Sequence, residues 1–173
     1  LSTDQIQNLT TLQVAALSMD QLRALTSDQL NALETRDLQV LTSGQVQSLT
    51  TLQVSTLSTD QIQNLTSSQV AKLGTDQLRA LTSDQLNAVE SADLQVLSST
   101  QLRSLTTSQI ADLSTDQVQN LTTAQMASLT SDQLRAMGSD QLNAIETRDL
   151  QVLTTSQVRS LTTAQIANLS TDQ

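Results

Sequence analysis

The chain is 173 residues long and 37% hydrophobic, with 8 Lys and Arg against 17 Asp and Glu, a formal net charge of −9. It contains no aromatic residue, Cys, His or Pro. Those absences remove imidazole and thiolate chemistry, disulfides and ordinary zinc sites, and the acidic balance disfavours nucleic acid. A globular domain normally draws much of its core area from aromatics, so a narrow core of Leu, Ile and Val in a stacked array is the expectation.

From Leu1 onward the sequence repeats every eight residues. The first place of each octad is Leu, replaced only by Val89, Met137 and Ile145. The third is Ser or Thr except at Met19, the fifth Gln or Asp, and the sixth Ile, Leu, Val or Met. Residues 1–173 thus form one array of 21 octads followed by the first five residues of another.

Leu25–Ala32, LTSDQLNA, shows what an octad says physically. Thr26 followed three places later by Gln29 is a capping-box pattern, in which each side chain satisfies the other's backbone N–H. Leu25 before the cap and Leu30 in the first full turn are the two halves of a hydrophobic staple. Asp28 lies in the first turn, where the helix dipole favours negative charge. All three signals set one start point, and each octad therefore predicts a helix of one to two turns that stops where the next cap begins.

One long helix is a poor alternative. An eight-residue step advances about 80° beyond two turns, which winds the Leu row around every face. Nor does a heptad or eleven-residue pattern occur. A regular strand would put the first and sixth places on opposite faces. The expected fold is all-α, a solenoid or superhelix of short helices, with a β-solenoid as the alternative that the Thr, Val and Ile content permits. Helices this short are marginal alone, so coils must stack on coils, with backbone groups and Gln side chains bonded between them.

A longer period also runs along the chain. LSTDQIQN begins at Leu1 and Leu57, LSTDQVQN at Leu113, and LSTDQ again at Leu169, giving 56-residue blocks 1–56, 57–112 and 113–168. The third octad of each block carries Arg23, Arg79 or Arg135 at its seventh place. Seven octads could be one turn of seven, two turns of three and a half, or only the length of a duplicated segment.

The fifth octad of each block departs from the pattern. Asp37, Asp93 or Asp149 replaces Gln, Glu34, Glu90 or Glu146 takes the capping place, and Val40, Val96 or Val152 ends the octad. Paired carboxylates once per block are the chain's candidates for a cation such as Ca²⁺. The preferred alternative is a differently capped turn in which Asp takes over as the hydrogen-bonding group, because calcium loops gather more oxygens and use Gly at the sharp turn.

Catalytic chemistry finds no foothold. The Ser and Thr residues sit at capping places without a recurring Lys or His partner, the fourth-place Asp residues are first-turn charges, and Gly runs for a phosphate loop are absent. The expectation is no enzyme, no cofactor, no nucleic acid and no membrane insertion, since no apolar stretch is long enough to span a bilayer. The matching LSTDQ at both ends, with no polar capping repeat, leads us to expect a segment of a longer array or one unit of an end-to-end or laterally assembled filament.

LTTAQMAS from Leu121 and LTTAQIAN from Leu161 exemplify a pattern L-[ST]-[ST]-x-Q-[ILV]-x-x that covers the whole chain. It resembles the octapeptide arrays of very large bacterial secreted or cell-surface proteins, often labelled adhesins or haem-utilisation proteins. The resemblance implies an extracellular, structural or adhesive setting and transfers no catalytic residue. Two other roles fit the residues: ordered rows of Ser, Thr and Gln that match ice or a polysaccharide, and a solenoid face that receives a protein partner.

Overall fold

The computed structural model describes residues 2–170. Its described residues hold twenty-one helices and no strand, one helix per octad, from Thr3–Gln7 to Thr163–Ala167. The β-solenoid alternative is therefore overturned: the cap at every octad start commits the next residues to i to i+4 bonding, as in Ile62 N–H to the Ser58 carbonyl at 3.0 Å. Two compact units are present, Leu1–Val89 and Glu90–Gln173, and each is described by itself.

Octad 8 shows how a helix this short is held at both ends. Ser58 Oγ accepts the Gln61 N–H at 3.1 Å, and Gln61 Oε1 accepts the Ser58 N–H at 3.1 Å. The same reciprocal box starts every described helix except those capped by Glu34, Gly74, Glu90, Gly138 and Glu146. At Gly74 and Gly138 the half that needs only a backbone N–H remains, with Gln77 and Gln141 Oε1 accepting at 2.8 Å. At its far end the helix before it stops without glycine. Leu57 N–H donates to the Val54 carbonyl at 3.3 Å, and Leu57 (φ −57°, ψ 144°) and Ser58 (φ −68°, ψ 158°) are both extended. Two extended residues turn the chain from one helix to the next cap, so no left-handed residue is required, and none occurs among the described residues.

Coils stack through the fifth-place Gln. Gln53 Nε2 donates to the carbonyls of Leu22 and Leu25, both at 2.8 Å, which lie 31 and 28 residues earlier. Gln69 does the same to Leu38 and Leu41, and in the second unit Gln133 to Leu102 and Leu105. Helices three octads apart pack together throughout both units. Each Gln thus sits over the junction between two octads of the coil before it, and a coil closes in 28 residues. Within a unit, a 56-residue stretch is two coils of three and a half octads.

This geometry buries the two apolar rows. Sixth-place Leu22, Leu30, Ile62, Leu86, Leu102 and Ile110 have essentially no exposure, and first-place Leu41, Leu57, Leu81 and Leu121 are also buried. Leu, Ile, Val and Met alone fill the core. One local deviation is matched by another a coil away. Met19 stands where a hydroxyl is usual, and a Cβ on Gly44 would lie 3.2 Å from its Cε, so the small residue at 44 makes room for the large one at 19.

Candidate functional site: the Glu-Asp octads

Helices Thr35–Gln39, Ser91–Leu94 and Thr147–Leu150 belong to the three octads in which Asp replaces Gln. Asp is one methylene shorter than Gln and has no N–H, so it can neither reach back to the N-cap nor donate to the coil before it. The chain satisfies it differently. Asp37, 2% exposed, accepts the Thr11 hydroxyl at 2.8 Å through Oδ1, from 26 residues earlier. Asp149, also 2% exposed, accepts the Thr123 hydroxyl in the same way. Asp93 is likewise buried.

The capping Glu residues make no side-chain cap bond. Glu34 Oε2 instead pairs with Arg36 Nε at 2.8 Å, and that nitrogen lies 4.0 Å from Asp37 Oδ1. Glu146 and Arg148 repeat this at 2.8 Å, with Asp149 at 3.6 Å. In the middle copy Ala92 takes the Arg place, and Ser91 Oγ donates to Asp116 Oδ2 at 2.7 Å. For Asp37 and Asp149 the hydrogen bond that takes the place of Gln's thus runs between coils.

The two carboxylates of a pair therefore occupy different environments: Glu34 and Glu146 on the surface against an exposed Arg, Asp37 and Asp149 beneath it. Among the described residues no group of three or more acidic side chains is placed to hold a metal ion. Sequence reasoning found Glu34, Asp37, Glu90, Asp93, Glu146 and Asp149 but missed Thr11, Thr123, Arg36 and Arg148. Third-place hydroxyls occur in nearly every octad, so those two Thr carried no distinguishing signal; the Arg in two of three copies did.

Thr123→Val is expected to cost about 2 kcal/mol in urea unfolding, because it leaves a buried carboxylate without its donor. Thr51→Val is the control. Thr51 has the same place in its octad, but the residue 26 positions on is Gln77, and the change should stay within about 0.5 kcal/mol.

Seventh-place side chains supply a further tie between coils. Asn31 Nδ2 donates to the Thr56 carbonyl at 2.8 Å, Gln95 Nε2 to Asn120 at 2.7 Å and Arg135 Nε to Ser160 at 3.2 Å, each 25 residues later. These polar contacts hold coil to coil. The model of the ALTTAQ repeat matches residues 1–35, 30–67, 62–89, 86–123 and 142–173. The chain belongs to the ALTTAQ repeat family. Two octads of this ALTTAQ array, from Leu121 and Leu161, carry the LTTAQ core of that name as it stands. No curated protein matches the chain. In this ALTTAQ chain the Thr of LTTAQ is the cap and the Gln the inter-coil donor.

Proposed function

We propose that this ALTTAQ array is a structural module, a non-catalytic shaft, spacer or filament segment of a large bacterial secreted or cell-surface protein of adhesin type. The observation that carries the reading is the Gln ladder. The Gln carboxamides and the capping hydroxyls, the most abundant polar groups of the repeat, are spent on starting helices and joining coils. Such an array can be lengthened octad by octad without redesign, because each coil needs only the one before it.

Small-angle scattering of the dilute chain tests this. An extended particle is expected, and removal of residues 57–112, which joins Thr56 to Leu113 in octad register, should shorten its maximum dimension by about one third. A compact globule, or an unchanged dimension after the deletion, would end the shaft reading.

A second reading rests on the third-place hydroxyls. Thr51, Thr59 and Thr75 are exposed and are not part of the caps or the ladder. Exposed hydroxyls of this kind are what ice or a polysaccharide would meet. Binding to insoluble glycans, or inhibition of ice recrystallisation by the purified chain, supports that role; no effect in either assay leaves the shaft.

A further inference from the structure

Charge is unevenly placed within the unit Glu90–Gln173. The octads that begin at Leu97, Leu121, Leu129 and Leu153 carry Arg103, Arg135 and Arg159 against one acid, Asp132. The other described octads of the unit carry seven acids and one arginine, Arg148. Stacking brings the four basic octads onto one face. Gln133 Nε2 donates to the Leu102 and Leu105 carbonyls at 3.0 and 2.9 Å, which seats the octad from Leu129 on that from Leu97. Gln157 Nε2 donates to those of Ala127 and Leu129 at 3.1 and 2.7 Å, which seats the octad from Leu153 over the junction of the two before it. Arg103 and Arg159 are therefore two coils apart. Arg135 belongs to the coil between them, with its Nε on the Ser160 carbonyl next to Arg159. All three arginines are exposed, as seventh-place residues are in interior coils at Gln47, Gln63 and Arg79. Arg135 Nη1 lies 3.6 Å from Asp132 Oδ1, whereas Arg103 and Arg159 have no ion pair among the described residues. Third and seventh places are one helical turn apart, so Ser99, Ser131 and Thr155 share a helix face with these arginines.

We propose that this face holds an acidic polysaccharide, a linear glycan whose carboxylates are spread among uncharged sugars. Each coil offers one guanidinium with one hydroxyl beside it, and successive coils repeat the offer about every 9 Å. A guanidinium takes a carboxylate through two parallel N–H bonds, and the neighbouring Ser or Thr can donate to or accept from a sugar hydroxyl. The positive charge is too sparse for denser polyanions. A DNA duplex bears one charge per about 1.7 Å, and the seven acids on the rest of the unit repel it. An anionic membrane gains only about 1 kcal/mol per arginine, and a flat surface that meets all three must also approach those acids. A flexible glycan follows the line of arginines alone. The inference rests on the polysaccharide reading and adds to it the charge of the glycan and the face that holds it.

The test is fluorescence anisotropy of end-labelled hyaluronan oligosaccharides, which carry a carboxylate on every second sugar, titrated with the chain. Binding is expected at low ionic strength and should weaken as salt is added. Arg103→Gln combined with Arg159→Gln should weaken it by about tenfold or more. Arg23→Gln combined with Arg79→Gln removes the same charge from octads that also carry Asp20 and Asp76, and should leave binding within about twofold. Asp132→Asn frees Arg135 and should tighten binding by about twofold. All these side chains are exposed, so the circular dichroism spectrum should not change. A parent chain that leaves hyaluronan free, or equal losses in the two double variants, would overturn the proposal. So would tighter binding to a DNA duplex or to phosphatidylserine vesicles, or self-association at low salt that hyaluronan does not reverse. Binding of neutral hydroxyethylcellulose without binding of hyaluronan would overturn this proposal and leave the polysaccharide reading standing; binding of neither would end both.

Discussion

Gln69→Glu is expected to lower the unfolding free energy by about 4 kcal/mol at neutral pH, whereas Gln13→Glu should change it by less than about 0.5 kcal/mol in dilute solution. Both residues hold the same place in an octad, and both cap their own helix: Thr66 N–H to Gln69 Oε1 and Thr10 N–H to Gln13 Oε1 are each 2.8 Å. Glu serves that half of the box as well as Gln does. The difference lies on the other side of the carboxamide. Gln69 is 1% exposed, and its Nε2 donates to the Leu38 and Leu41 carbonyls at 2.8 Å. A carboxylate there is buried against two acceptors with nothing to donate. Gln13 is exposed, and a first-turn carboxylate suits the helix dipole. The sign of the pH dependence follows. The fold around position 69 disfavours the charged form, so the introduced carboxyl keeps its proton to higher pH in the folded than in the unfolded chain. Stability of Gln69→Glu should therefore fall as pH rises through the ordinary carboxyl range and recover below it, where the acid O–H can donate to a carbonyl. Urea unfolding at several pH values measures both effects.

Ile110→Ala is expected to cost about 3 kcal/mol, and Ile166→Ala about 1 kcal/mol or less. The two isoleucines share residue type, octad place and unit. Ile110 is 1% exposed, and its carbonyl accepts Gln141 Nε2 at 2.9 Å from the coil above. Truncating it leaves a cavity between coils that cannot collapse, because the Gln bonds hold the layers at fixed spacing. Ile166 is 46% exposed, so truncation there opens no closed cavity. Equal losses at both sites, measured by chemical unfolding, would mean that coil stacking does not bury the sixth-place row.

Much of this was legible because each octad carries its own instructions. The hydroxyl and Gln of the box, the paired apolar residues and the first-turn Asp all act within eight residues, so the local pattern decided helix start, helix end and buried face together. That Gln would also bond between coils followed from the energetics, since helices of four to six residues need outside support. The number of octads per coil was not legible. It is fixed by which carbonyl lies under each carboxamide, and all octads offer equivalent carbonyls; the 56-residue period marked two coils only once the 28-residue contact was seen. The Glu-Asp octads were visible as exceptions, but their partners were not. Asp37 meets Thr11 across a coil, and a hydroxyl recurs at that place in almost every octad. Met19 and Gly44 teach the same lesson: each looks like a lone deviation in the sequence, and only the stacking shows that one accommodates the other.

The most direct test of the Gln ladder is the side-chain amide of Gln53 observed by NMR in a dilute sample. The account predicts nuclear Overhauser contacts from its Nε2 protons to Leu22 and Leu25, and exchange with water much slower than for the side-chain amides of Gln5, Gln13 and Gln21. Contacts confined to its own octad, with exchange as fast as at those three, would contradict it.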